Sequence, residues 1–333
     1  MAGTSLGRFA LKRSVQGIGV VWGVVTVVFA LRFVTPGSPI NAVAPLDATQ
    51  ATRQAIAAEL GLDQPLYVQY GQYLFDLLRA DMGYSYVKGQ EVTTLVFAKL
   101  PATIELAVAA TVVAIALSIP LGVLSATRRN QPVDYGATLF SLFGISTPNF
   151  WLGIMMILVL AVQFDVFNTS GRGVTVIEVA ASLVGPAPFV ATLLGWLSYI
   201  TLPAIALGTY FTALITRLTR SGMLDELGKA YVRATRAKGV PETLVRYKHA
   251  LRNTLIPVIT VLGLQLGTLI GGAVITEAVF SWPGLGTLII QSINLRDWPA
   301  LQGSLVVIGV SFVVVNIAVD TVYGYLDPRV VYD

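Results

Sequence analysis

The chain contains no cysteine and a single histidine, His249. Disulfides, thiolate nucleophiles and cysteine-ligated metals are therefore excluded. One imidazole is too few for a multi-histidine metal centre or a bis-histidine haem. Charge is scarce too: 12% of the 333 residues are Asp, Glu, Lys or Arg, where a soluble domain carries about 25%. The sequence has no G-x-x-x-x-G-K-[ST] and so no P-loop of its own for ATP. A catalytic Ser/His/Asp set is equally missing, because His249 stands alone in a basic stretch. The formal charge of +4 and pI near 9.3 do not point to nucleic acid, since the cations gather between apolar runs.

What is abundant is apolar surface: 55% of residues are hydrophobic and the mean hydropathy is +0.72. A membrane-crossing helix needs about 20 apolar residues. Six segments meet that length, at 14–35, 101–127, 137–164, 196–217, 254–279 and 303–326. Pro203 interrupts the fourth, and the preceding apolar stretch 176–195 is broken by Pro186 and Pro188, which suits an interfacial or re-entrant segment. Arg8, Lys12 and Arg13 precede the first run like a signal peptide, but no small-residue cleavage pattern follows before Thr35-Pro36-Gly37. A retained signal-anchor helix is expected. Placing the N-terminus inside puts fifteen loop Lys/Arg residues on the cytoplasmic side and six outside. Both termini are then cytoplasmic.

These runs divide the chain into three parts: a tail with the first helix (1–35), an extracytoplasmic segment (36–100), and a membrane core (101–333) with a cytoplasmic loop at 218–253. In the outer segment Asp47 and Thr49 can cap a short helix ending at Gly61, and Asp63 with Pro65 can start a second. Leu66, Tyr67, Tyr70, Tyr73, Leu74, Leu77 and Leu78 form a stripe along it. That stripe either packs on the membrane core or docks an outside partner. Three ionisable groups fall inside apolar runs. Arg32 can snorkel outward, Glu105 suits a helix N-terminus just after Pro101, and Asp320 suits a local ion pair at the inner face.

The loop at 218–253 is more than a cluster of charge. Residues 222–238 are helix-compatible, Gly239 can end that helix in the left-handed conformation, and Pro241-Glu242 suits the first turn of the next. Pro257 would mark entry into the fifth span. A loop that only gripped anionic lipid would need charge alone, whereas a helix–Gly–helix unit is built to present a rigid knob to a cytoplasmic protein.

The stretches YVRATRAKG (231–239) and RYKHALRNTLIPVIT (246–260) resemble the cytoplasmic loop of binding-protein-dependent ABC importer permeases, in the version typical of the dipeptide/oligopeptide subfamily. That loop reads EAA, three residues, Gly, nine residues, then I-x-L-P. Ala234, Gly239 and Leu251 match, while Arg233, Thr235, His249 and Arg252 stand where the pattern has Glu, Ala, Ile and Pro. LGLDQPLYVQYGQYLFDLLRADMGYS (60–85), LPATIELA (100–107), STPNFWLG (146–153), EAVFSWPGLG (277–286), RDWPALQGS (296–304) and the closing VDTVYGYLDPRVVY are similar to segments of the same subfamily. Ser38, where an acidic residue is common, and the long segment 172–195 depart from it.

The resemblance implies an all-α multi-pass protein of type I ABC importer architecture in the inner membrane, the first of two paired permeases. It would translocate peptides or similar solutes. Its partners would be a second permease subunit, two P-loop ATPase subunits that consume ATP with Mg, an extracytoplasmic solute-binding protein and the lipid bilayer. The chain itself would be no enzyme and would bind no cofactor, metal or nucleic acid. The ATPase contact would fall on Tyr231, Arg233, Ala234, Thr235, Ala237, Lys238, Gly239, Glu242, Arg246, His249 and Leu251. On the fifth span Thr260, Gln265 and Thr268 are polar enough to line a path, and packing explains them equally well. The alternative is a self-powered secondary transporter whose basic loop anchors lipid. That class favours internal repeats, and none is evident here.

Overall fold

A computed structural model describes residues 2–34, 40, 44, 47–59 and 61–326. Residues 36–39 with Ser38, and the last seven residues with Arg329, lie outside the described residues. The described chain is almost wholly helical, with one two-residue hairpin, Tyr84–Ser85 against Gln90–Glu91.

Among the described residues, five helices are long and apolar enough to cross a membrane: Leu11–Phe33, Val92–Thr127, Phe189–Leu227, Glu242–Leu269 and Trp298–Thr321. The expected third span is not one straight helix. Pro132–Ser146 and Asn149–Gln163 meet at 108°, so the pair is a broken or re-entrant span. Pro148 explains the break. It has no N–H to continue the ladder and holds Thr147 extended at ψ 126°. Its last turns, Ile157–Gln163, widen to π-type spacing.

The elements are labelled in chain order: α1 Ala2–Val34, α2 Gln50–Glu59, α3 Leu66–Leu78, α4 Val92–Thr127, α5 Pro132–Ser146 and α6 Asn149–Met156. Then come α7 Val176–Ala181, α8 Phe189–Leu227, α9 Ala230–Ala237, α10 Glu242–Leu244, α11 Leu251–Val279, α12 Leu285–Leu295 and α13 Trp298–Leu326. Four boundaries differ from the sequence expectation. The second span begins at Val92, not near 101, with Pro101 and Pro120 inside it. Residues 222–238 are two helices, since α8 ends at Leu227 and α9 starts after Lys229. Pro257 lies inside α11 rather than at its entry. The stretch 176–195 divides between α7 and the first turns of α8, which runs on unbroken through Pro203.

Helices α4 and α8 form the central pair, and small residues set how closely they approach. A Cβ on Gly208 would lie 2.8 Å from the Ala110 carbonyl oxygen, and one on Gly122 would lie 2.6 Å from Thr219. Around this contact sit Leu106, Ala107, Ala110, Ala114, Ala204, Leu207, Phe211 and Ile215, all buried. At 36 and 39 residues, α4 and α8 are roughly 54–58 Å long, well beyond the ~30 Å hydrocarbon core. Their ends therefore stand in the interfaces and carry the connecting structure. The glycines of the fifth span serve packing in part. Gly263 and Gly267 lie against Val319 and Phe312 of α13, whereas Gly271 faces open space.

Helix α1 lies along α13, with Gly17 against Ile317 and Gly309 against Val24. Arg13 and Asp320 pair at 3.3 Å, the local role expected of that aspartate. At the other end Arg32 reaches Gln69 and lies over the Phe29 and Phe33 rings. The stripe on α3 divides accordingly. Tyr70, Tyr73, Leu74 and Leu77 pack on α1 and α13, with Tyr70 Oη 2.6 Å from Thr26 Oγ1. Tyr67 and Leu78 remain 78% and 87% exposed.

Candidate coupling module and its anchors

The basic loop folds into a compact module between α8 and α11. Helix α9 ends at Ala237 and the chain turns at Gly239, whose φ of +73° lies in the left-handed region that glycine enters without strain. Gly239 N donates to Arg236 O and Val240 N to Thr235 O, closing the turn. Pro241 caps α10, which continues through π-type turns at Val245–Ala250 into α11 without a break. The knob's second arm is thus the base of the fifth span itself. Val232, Val245 and Ala250 are fully buried beneath the module. Ala250 joins Val123, Ala126 and Met223 in a small core that ties the module to α4 and α8, with Leu251 packed against it.

Electrostatics lock the turn. The Arg236 fork donates to both Glu242 oxygens at 3.0 and 2.9 Å, and Arg246 Nε donates to the same carboxylate at 3.1 Å. This Glu242 partnership pushes the Arg236 guanidinium above its ordinary pKa. Pairs this exposed contribute little energy individually, but a bidentate fork fixes orientation across Gly239. Lys229 donates to Glu226 at 2.5 Å, and that carboxylate raises the ammonium's pKa. Arg233, Ala234, Ala237, Lys238 and Gly239 face outward beside Leu244 and Tyr247, which are 47% and 55% exposed. Thr235 Oγ1 turns inward to Tyr231 O, and His249 presents its carbonyl to Tyr231 Oη at 3.3 Å. Of the eleven expected residues, then, the first group forms an exposed face, Glu242 and Arg246 form its brace, and Tyr231, Thr235, His249 and Leu251 form its base.

Three further polar clusters anchor the bundle, and the sequence reading found none of them as units. Glu105 of α4 accepts from Arg172, from Trp196 Nε1 at 2.5 Å and from Val176 N at 3.1 Å. Its side chain is 3% exposed and that of Arg172 is 15%. This corrects the expectation of a helix-terminal carboxylate, because the helix begins more than three turns earlier and a distant arginine neutralises Glu105. Glu277, fully buried, accepts from Thr103 Oγ1 at 2.7 Å and from Gly286 N and Thr287 N at 2.7 and 3.2 Å. It caps α12 from another helix. Beside the C-terminal end of α4, Asp134 accepts a bidentate fork from Arg220 at 2.6 and 2.9 Å, the Ser125 hydroxyl and Asn130 N. An isolated charge in an apolar run is the one sequence signal for such partners. Here the pairs are separated by 67, 174 and 86 positions along the chain.

Thr260 and Thr268 spend their hydroxyls on their own helix, on Ile256 O at 3.1 Å and on Gln265 at 2.7 and 2.9 Å. Thr268 is exposed, and Thr260 and Gln265 are half-buried.

A bundle of apolar spans, two of which carry a braced and solvent-exposed knob, defines a polytopic membrane protein. Comparison with known proteins places that class. The family described as "Binding-protein-dependent transport system inner membrane component" matches residues 118–332, and its N-terminal companion, "Binding-prot-dependent transport system membrane comp, N-term", matches 6–107. The chain is 38% identical to the oligopeptide transport system permease protein AppB of Bacillus subtilis, over 98% of this chain and all of that one. It is 39% identical to the dipeptide transport system permease protein DppB of Alkalihalophilus pseudofirmus, covering 97% and 99% of the two chains. Against DppB of Escherichia coli K12 the identity is 37%, covering 97% and 98%. A solved structure of the MetNI methionine ABC transporter shares the fold, with a TM-score of 0.51 and 17% identity, over 70% of this chain and 96% of that one. The chain belongs to the binding-protein-dependent transport system inner membrane component family. It is a multi-pass permease subunit of an ABC importer, and the self-powered alternative is set aside.

Proposed function

We propose that this permease imports peptides or similar small solutes, driven by two P-loop ATPase subunits that use ATP with Mg and dock on residues 231–252. A second permease subunit completes the path, and a solute-binding protein delivers cargo on the outer side. Both termini and the knob lie in the cytoplasm. The peptide class is supported by the relatives AppB and DppB, an oligopeptide and a dipeptide transport system permease, at 37–39% identity over nearly full length.

The observation that carries the docking role is the build of the knob. Its exposed face holds Arg233, Lys238, Leu244 and Tyr247, and its second arm is continuous with a membrane span. A push on Leu244 or Tyr247 enters the arm continuous with α11, and one on Arg233 or Lys238 crosses the Gly239 turn that the Arg236–Glu242 fork braces. Thr260, Gln265 and Thr268 sit further along the same helix and are candidates to contact solute once a second permease faces them.

The test is reconstitution with and without ATPase subunits. The purified polypeptide hydrolyses no ATP, and hydrolysis that rises with loaded binding protein emerges once the ATPase subunits are added. ATP hydrolysis by the purified chain alone would overturn the division of labour.

A further inference from the structure

Where the knob meets the two spans, one hydroxyl holds three segments together. Tyr231 of α9 donates from Oη to Glu226 Oε2 at 2.7 Å, at the end of α8. The same oxygen accepts from Asn253 Nδ2 at 2.9 Å, at the base of α11. The His249 carbonyl oxygen lies 3.3 Å away, a second acceptor on the far arm. A phenol has one proton and free lone pairs, so the hydroxyl can give to the carboxylate and receive from the amide together. Glu226 keeps Lys229 on its other oxygen, which leaves Oε2 committed to the tyrosine.

The end of α8 and the base of α11 are also joined by the Met223–Ala250 core and by Asn253 beside Glu226, so the hydroxyl's own part is to tie α9 to both. Between α8 and α9 the backbone passes through Gly228 and Lys229, only a turn, and Lys229 is half-exposed. The Glu242 brace ties α9 to α10 but does not touch α8.

We propose that Tyr231 is the positioning residue of the coupling module: its hydroxyl makes the end of α8, the helix α9 and the base of α11 move as one body when the knob is pushed. This rests on the reading that ATPase subunits act on the knob. Without the hydroxyl, α9 stays folded and the chain stays inserted, but a push on α9 is spent on tilting it at Gly228. The loss is therefore in coupling, not in assembly.

The test uses the assembled transporter in nanodiscs, with hydrolysis and trapping read on the cysteine-free chain and distances read between nitroxides on Ala230→Cys and Lys248→Cys, both exposed and neither on the face that carries Arg233, Lys238, Leu244 and Tyr247. With Tyr231 present, the distance between the labels is single and unchanged between nucleotide-free and ATP–vanadate-trapped states. In Tyr231→Phe the trapped-state distribution broadens at least twofold or splits, and stimulation of ATP hydrolysis by the loaded binding protein falls at least threefold at equal complex yield. Glu226→Gln still offers an oxygen acceptor and keeps both readouts near the parent. Tyr231→Phe with Asn253→Ala is no worse than Tyr231→Phe alone, because both remove one junction. A purely structural tyrosine would lower the yield and leave the stimulation ratio alone. An unbroadened distribution with normal stimulation in Tyr231→Phe overturns the proposal while the ATPase reading stands. If the parent complex traps no nucleotide, the ATPase reading falls and this proposal falls with it.

Discussion

Gly239→Val separates a force-transmitting knob from a basic loop that only grips lipid. At φ +73° the backbone is left-handed, and a Cβ there would meet nothing within 4 Å. The substitution therefore adds no clash, and its whole effect is conformational. A left-handed residue with a Cβ costs about 1–2 kcal/mol, with β-branched valine at the upper end. One or two kcal/mol shifts a two-state ratio by a factor of roughly 5–30, here from the native turn toward arrangements in which α10 leaves α9 at another angle. The Arg236–Glu242 fork spans that turn and breaks with it. No charge changes, and the buried residues Val232, Val245 and Ala250 lie off the turn, so insertion is expected to match the parent. Solute-stimulated ATP hydrolysis and uptake into proteoliposomes should fall together by roughly that factor. Gly239→Asn should stay near the parent, because asparagine tolerates the left-handed region. A lipid-gripping loop predicts the reverse: no effect of Gly239→Val and a large one on neutralising Arg246 and Lys248. Normal coupling in a fully inserted Gly239→Val protein would refute the reasoning.

Arg172→Met strips the cation from a carboxylate that is 3% exposed. It should lower stability by about 3–5 kcal/mol, and Glu105→Gln in the same chain should recover most of that. Thermal unfolding in detergent reads both, and an Arg172→Met protein as stable as its parent would contradict the buried pair. Gly208→Ala drives a methyl group to 2.8 Å from the Ala110 carbonyl oxygen and should cost about 1–3 kcal/mol in the same assay. Gly271→Ala, with nothing within 4 Å, should be neutral or slightly stabilising. For orientation, Gln90→Cys should react with an impermeant maleimide on intact cells and Lys248→Cys only after the membrane is opened. Outside labelling at Lys248→Cys would invert the topology and remove the docking argument.

Much of this protein is settled by local rules, and those parts were legible along the chain. Apolar run length marks the spans because no other side chains are stable in hydrocarbon over that distance. The Gly239 turn and the Pro241-Glu242 helix start depend on residues within a few positions of each other, and both stand as expected. The Arg13–Asp320 pair was half legible: the aspartate announced that it needs a partner but not which one. What tertiary structure alone decided is which distant groups meet. Pro203 reads as an interruption of its span, yet α8 runs through it unbroken, while the break in the third span falls at Pro148, so a proline alone does not tell whether its helix ends or continues. Glu105 reads as a helix-start carboxylate until Arg172 and Trp196 arrive from 67 and 91 positions away. Tyr231 reads as one more residue of a basic loop until folding sets Glu226 on one side of its hydroxyl and Asn253 on the other. Hydrogen bonds and ion pairs act over about 3 Å whatever the separation in sequence, so their partners exist only once the helices have packed.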